Sequence, residues 1–251
     1  MQPMQKRRRG IYLLPNLFTT AALFAGFYAI VAAMNNNYEP AAIAIFVAMI
    51  LDGMDGRIAR LTHTQSDFGV QYDSLSDMVS FGLAPALVVY QWSLSSMGKL
   101  GWLGAFIYAA ATALRLARFN TQVTSADKRF FQGLPSPSAA ALIAGLIWWA
   151  ESLGLDADIN WAILAFPVTV IAGILMVSNI RYHSFKQFDL HGRVPFIAGL
   201  VVVLVFVLIA SEPPLVLFVL SLIFAVSGPV YTLILLRRHR LSRKALDRPD
   251  T

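Results

Sequence analysis

Long apolar runs separated by short polar connections set the pattern of this chain. From Ile11 to Met34 there is no charged side chain, and Asn35, Asn36, Asn37, Tyr38, Glu39 and Pro40 then form a polar turn. A second apolar run extends from Ala41 to about Leu61, a third from about Asp73 to Leu94, and a fourth from Leu100 to about Phe119. Further runs lie at about 138–151, 160–180, 194–211 and 214–236. Most are close to the ~20 residues needed to cross ~30 Å of hydrocarbon, although the fifth is short. The pattern predicts an all-α chain: a polytopic membrane helix bundle of about eight transmembrane helices.

Composition agrees with a membrane solvent and narrows the chemistry. The 251 residues are 57% hydrophobic and 14% charged, with a mean hydropathy of +0.61, which excludes an ordinary soluble domain. Cysteine is absent, so disulfides and thiolate metal centres are excluded, and a metal here must use oxygen or imidazole ligands. The basic stretch Lys6–Arg9 followed by an apolar run resembles a secretory signal, but the run is too long and lacks a good small-residue cleavage site. It is expected to be a retained first helix.

The net charge of +6 takes its meaning from where the basic residues fall. With eight spans and a cytoplasmic N-terminus, every Lys and Arg except Lys99 lies on the cytoplasmic side, while Glu39, Glu151, Asp156, Asp158 and Glu212 lie on the other. Basic connections are retained inside, so both termini are expected to be cytoplasmic. Orientation and contact with anionic membrane lipid account for these charges, and no nucleic-acid partner is needed. On this division residues 1–10 form a basic cytoplasmic N-terminal segment and residues 237–251 a basic cytoplasmic tail. The runs at 194–211 and 214–236 are two additional transmembrane helices without internal charge, suited to packing or dimer formation.

One stretch breaks the apolar pattern. Asp52 and Asp55 close the second run, and Asp73 and Asp77 open the third, with Arg57 and Arg60 between them. Spacings of three and four put each aspartate pair on one helical face, and adjacent antiparallel helices let the pairs meet. Charge at a membrane span is costly and marks function. Carboxylates this close repel one another unless a cation lies among them. Oxygen ligands alone suit a hard divalent ion, magnesium or manganese or else calcium, rather than zinc. Gly53, Gly56, Ala59 and Gly69 remove bulk where a ligand or a neighbouring backbone approaches.

The spacing D-x2-D-G-x2-A-R-x8-G-x3-D-x3-D, carried by Asp52, Asp55, Gly56, Ala59, Arg60, Gly69, Asp73 and Asp77, resembles the signature of the CDP-alcohol phosphatidyltransferase family without departure. Leu14-Pro-Asn16-Leu-Phe-Thr19, Leu114-Arg-Leu-Ala-Arg-Phe-Asn120 and Gly133-Leu-Pro-Ser-Pro137 are similar to its bacterial, membrane-embedded, serine-accepting branch. The resemblance implies metal-dependent transfer of a phosphatidyl group from CDP-diacylglycerol to L-serine at the cytoplasmic face of the cell (inner) membrane, releasing CMP. It makes residues 11–180 a six-helix catalytic membrane core. It assigns Asp52, Asp55, Asp73 and Asp77 to two divalent ions, Mg2+ or Mn2+. Gly56, Ala59, Arg60 and Gly69 would receive the CDP moiety, and Asp77 would be the general base. It also implies a homodimer.

Other residues are placed by their chemistry. Asn16 and Thr19 would hydrogen-bond the cytidine or cap the first helix. Arg115, Arg118 and Asn120 share the cytoplasmic end of the fourth run, and an arginine binds a carboxylate bidentately, so they are expected at the acceptor. Glycerol 3-phosphate or an inositol compound is the alternative acceptor. A divalent-cation transporter is the alternative from another class, although it would spread its acidic groups across the middle of several helices. His63, His183, His191 and His239 show no ligand spacing, and Trp92, Trp148, Trp149 and Trp161 are expected as interfacial anchors.

Overall fold

The computed structural model describes residues 13–62, 64, 66–122, 130–154, 161–183 and 196–246. Lys6–Arg9, His63, Asp127–Arg129, Asp156, Asp158, Lys186, His191, Arg193 and Arg248 lie outside the described residues, as do the side chains of Leu14, His183 and His239.

Helices α1 (Leu13–Met34) and α2 (Tyr38–Leu61) pair along their length. Ala25, Ala29, Ala32 and Ala33 on α1, with Ala41, Ala44, Ile45 and Ala48 on α2, are buried. Small residues let two backbones approach closely where the surrounding lipid supplies no hydrophobic drive. Asn36, at φ 60°, reverses the chain between them.

The next rod is interrupted. Helix α3 (Asp67–Asp77) passes through a π-helical segment, Met78–Leu83, into α4 (Ala84–Trp92). The π segment leaves room for lateral partners: Tyr108 Oη donates to the Phe81 carbonyl at 2.9 Å, and Ser80 Oγ donates to the Ala22 carbonyl at 3.0 Å. A 3-10 turn, Leu94–Met97, leads to α5 (Lys99–Gln122).

Helix α6 (Ser136–Ser152) is the central rod, in contact with α2, α4, α7 and α9. Every residue from Ala139 to Ile147 is buried. A helix apolar all round belongs inside a bundle, which explains how a run shorter than a full span forms its core. Helices α7 (Ala162–Val177), α8 (Phe196–Ser211) and α9 (Pro213–Leu246) complete the described chain.

Pro15–Met34, Lys99–Thr121 and Pro213–Ile234 are long and apolar enough to cross a membrane, and Ala162–Val177 is apolar but shorter. Helix α2 carries too many charges at one end to qualify by composition, and the third rod is divided by the π segment.

One local expectation changes. The third rod starts at Asp67, because Ser66 takes the N-cap and its Oγ accepts from Gly69 N at 3.1 Å. Asp73 therefore sits inside a helix instead of opening one. The tail is helical as far as Leu246: Arg237, Arg238, Arg240, Arg243 and Lys244 continue α9, since Arg and Lys are good helix formers. The described chain is helical, as expected, but for one short ladder. Two short strands, β1 (Phe130–Gln132) and β2 (Arg181–His183), pair antiparallel between the α5–α6 and α7–α8 connections.

The tryptophans gather at the end of the bundle away from the aspartates. Trp92 donates to Glu151 at 2.8 Å and Trp148 to Glu39 at 3.2 Å, and Trp161 lies against both Trp92 and Trp149. These indoles tie helices to one another as well as marking a level.

Candidate active site

The site begins where α2 ends. Thr62 Oγ1 donates to the Ile58 carbonyl at 2.7 Å, and Thr64 N reaches the Ala59 carbonyl at 3.1 Å, which closes the helix and turns the chain toward Ser66. Helix α3 then returns beside the last turns of α2, bringing Asp73 to Asp52 and Asp55. One carboxylate oxygen from each of these three residues lies within 4.8 Å of the other two. Asp77 stands close enough to Asp52 and Asp73 for their charges to act on it. Three of the four aspartates that the spacing selects thus meet, and Asp77 stands beside them.

Helix α1 supplies the third wall. Thr19 is buried and its hydroxyl donates to Asp55 Oδ2 at 2.6 Å, with the Pro15 carbonyl 3.1 Å away. Ser76 Oγ donates to the Thr19 carbonyl at 3.1 Å, and the hydroxyls of Thr20 and Tyr72 are 2.8 Å apart. Asp55 is 5% exposed and is held by α1 at the bottom of the cluster. Asn16 stands one turn before Thr19, with Oδ1 3.7 Å from where a Cβ on Gly69 would lie. Thr19 therefore reaches the site through Asp55, and Asn16 through Gly69.

Two atoms test whether a cation fits. Asp73 Oδ1 and Asp77 Oδ1 are shut off from solvent and have no hydrogen-bond partner. Buried acceptors are normally satisfied, and an unsatisfied pair beside two further carboxylates is the donor set of a hard divalent ion. The residues fit a hard divalent cation.

Beside the cluster, Gly53 and Gly56 have no atom within 4 Å of a would-be Cβ. No neighbouring backbone crowds them; glycine here leaves open space next to Asp52 and Asp55. Arg60 is exposed, its Nε donating to the Gly56 carbonyl at 2.8 Å, and Ala59 is half-buried beside it.

The arginines of α5 separate into two kinds. Arg115 interacts electrostatically with Asp77. Its Nη1 donates to Ser136 Oγ at 3.0 Å, and its Nε is buried without a partner. Arg118 points to the end of α7, where it donates to the Val177 carbonyl at 2.8 Å, to the Met176 carbonyl at 3.4 Å and to Asn179 Oδ1 at 3.1 Å. It satisfies carbonyls that the end of a helix leaves free. Asn120 donates to Ser74 Oγ at 3.0 Å, which ties α5 to α3 next to Asp73. Ser74, Ser76 and Ser136 are the positioning residues that the spacing did not single out. Ser136 lies inside the Gly133–Pro137 stretch, and that was its only signal.

The arrangement is a metal-ready carboxylate cup at the end of a membrane helix pair, with a cation, Arg115, at its rim. Residues 12–175, more than half of the chain, match the model of the CDP-alcohol phosphatidyltransferase family, and the chain belongs to that family. Among similar curated proteins, the CDP-diacylglycerol–serine O-phosphatidyltransferase of Helicobacter pylori (strain 26695) is 39% identical over 178 residues, covering 70% of this chain and 74% of the relative. The protein of the same name from Mycobacterium tuberculosis (strain H37Rv) is 37% identical over 194 residues, 71% and 64% of the two chains. That from Bacillus subtilis (strain 168) is 31% identical over 174 residues, 69% and 92%. A lipid-biosynthetic family and three spanning-length helices make this a membrane protein.

Proposed function

We propose that the protein transfers a phosphatidyl group from CDP-diacylglycerol to L-serine, giving phosphatidylserine and CMP. The carboxylate cup carries this reading, and the relatives named for the same reaction support serine as the acceptor. Bound in the cup by Asp52, Asp55, Asp73 and Asp77, divalent ions supply charge neutralisation for the diphosphate. The open volume at Gly53 and Gly56, together with Ala59, Arg60, Gly69 and Asn16, receives the CDP moiety; Thr19 keeps Asp55 oriented.

Asp77 takes the proton of the serine hydroxyl as its oxygen forms a bond to the phosphorus bearing the diacylglycerol. The bond from that phosphorus to the CMP oxygen breaks, and CMP leaves with the electron pair. Proton transfer by a placed carboxylate contributes ~10²–10⁴-fold. Arg115, whose charge acts on Asp77 and whose Nε has no hydrogen-bond partner, pairs with the serine carboxylate, and Asn120 shapes the same end of the pocket through Ser74. Arg118 serves the acceptor indirectly by fixing the end of α7.

In the membrane, eight spans place both termini and the cup at the cytoplasmic face of the inner membrane, with residues 11–180 as the catalytic core. The segregation of basic residues supports this orientation. The test is CMP release and lipid product from purified protein with CDP-diacylglycerol, Mn2+ or Mg2+, and a panel of labelled acceptors. A serine-dependent phosphatidylserine product is expected. A phosphatidylglycerol phosphate or inositol lipid formed without serine overturns the acceptor assignment, and metal flux in proteoliposomes without CDP-lipid turnover overturns the enzyme.

A further inference from the structure

The family match ends at residue 175, so β2, α8 and α9 lie beyond it, yet β2 is wired into the rim of the site. Tyr182 is fully buried, its hydroxyl donates to the Ala225 carbonyl of α9 at 2.9 Å, and its ring lies 5.6 Å from that of Phe224. A Cβ on Gly228 would come within 2.4 Å of Tyr182 Cζ, so the ring sits flat on α9 where only glycine leaves room. From this anchor β2 pairs with β1, Tyr182 opposite Phe131 and Arg181 opposite Gln132.

The chain after β1 is held just as closely. Gly133 N donates to the Ile180 carbonyl at 2.9 Å and Leu134 N to the Leu175 carbonyl at 3.0 Å. Gly133 has φ 75°, and a Cβ there would lie 2.2 Å from the Met176 carbonyl oxygen, so this register admits no other residue without strain. Three residues later Ser136, fully buried, receives Arg115 Nη1.

We propose that Tyr182 is a positioning residue for the acceptor: seated on α9, it fixes the β1–β2 ladder and thereby the Ser136 hydroxyl that aims the Arg115 guanidinium. This rests on the reading that Arg115 holds the acceptor. The last helix is then part of the acceptor machinery and not only packing. A buried tyrosine that merely filled space would affect stability and leave substrate constants alone, whereas one that aims Arg115 affects the acceptor selectively.

The experiment compares Tyr182→Phe, Gly228→Ala and Arg115→Lys in the full-length protein, measuring KM for serine, KM for CDP-diacylglycerol, the Mn2+ half-saturation and Tm. Loss of one net hydrogen bond corresponds to about 3- to 10-fold in an equilibrium. Tyr182→Phe is expected to raise the serine KM by about that factor, and Gly228→Ala, whose Cβ displaces the Tyr182 ring, to raise it too, while the CDP-diacylglycerol KM and the metal dependence stay unchanged. If Arg115→Lys shifts the serine KM and neither α9-contact variant does, or if those variants only lower Tm, the Tyr182 role is overturned and the acceptor site stands. An Arg115→Lys enzyme with an unchanged serine KM overturns the acceptor site itself, and the Tyr182 role with it.

Discussion

At the scale of the residue, the four aspartates differ in how they are held. Asp55 accepts from Thr19 and is enclosed, while Asp73 and Asp77 each keep a buried oxygen without a partner. Asp73→Asn and Asp77→Asn are both expected to lower CMP release by ~10²-fold or more, since each removes a charge from the cup and the second also removes the base. Replacing a carboxylate by an amide relieves repulsion in the metal-free protein, so these variants are expected to hold or raise Tm without metal. A fall in Tm of the metal-free Asp73→Asn protein counts against mutual repulsion in the cup. The two arginines of α5 make a sharper pair. Arg118 donates to two helix-end carbonyls and an asparagine, and hydrogen bonds from charged donors contribute about 1.5–3 kcal/mol each. Arg118→Ala is therefore expected to lower Tm measurably in a thermal melt.

At the scale of the element, α3 depends on its first turn. The Ser66 cap sets where the helix begins, and hence which face carries Asp73 and Asp77 back toward α2. Ser66→Ala is expected to cost about 1 kcal/mol and Ser66→Asp to restore it, read by Tm. Apolar periodicity marks where helices run, but it leaves the start of α3 hidden because Thr62 to Asp67 is polar and only Phe68 and Val70 interrupt the polar run as far as Tyr72. Only the Gly69 N–H on Ser66 reveals the cap. The strands β1 and β2 were equally illegible: three residues are too few to show a period of two, and each strand exists only because the other lies beside it. In contrast, the bounds of α5, α6 and α8 follow the apolar runs closely, since burial in a bundle and insertion in lipid demand the same long apolar segments.

At the scale of the whole molecule, carboxylates at one end and an indole–glutamate cluster at the other define two faces. Ser96, in the turn that precedes α5, and Thr121, in its last turn, are exposed and flank opposite ends of that helix, and the chain has no cysteine. Single Ser96→Cys and Thr121→Cys variants are expected to react with an impermeant maleimide from opposite sides of the membrane, Thr121→Cys from the cytoplasmic side. Labelling of both from one side overturns the orientation. A divalent ion that occupies the cup binds the folded chain alone and so stabilises it, by about 2.7 kcal/mol at a hundred times its dissociation constant. Mn2+ is expected to raise the Tm of the native protein and to leave that of Asp52→Asn nearly unchanged.

The membrane character, the helical runs and the aspartate spacing were determined by the sequence alone, because each is local: apolar length answers to bilayer thickness, and i, i+3 or i, i+4 carboxylates share a face in any helix. Which neighbours those groups met was decided by the tertiary structure. The hydroxyl of Thr19 on Asp55, the separation of Arg115 from Arg118 and the hold of Tyr182 on α9 all join residues far apart in the chain. A hydrogen bond a few ångströms long leaves no periodic trace in sequence, so only packing of the helices against one another could turn an acidic stretch into a cup with a rim.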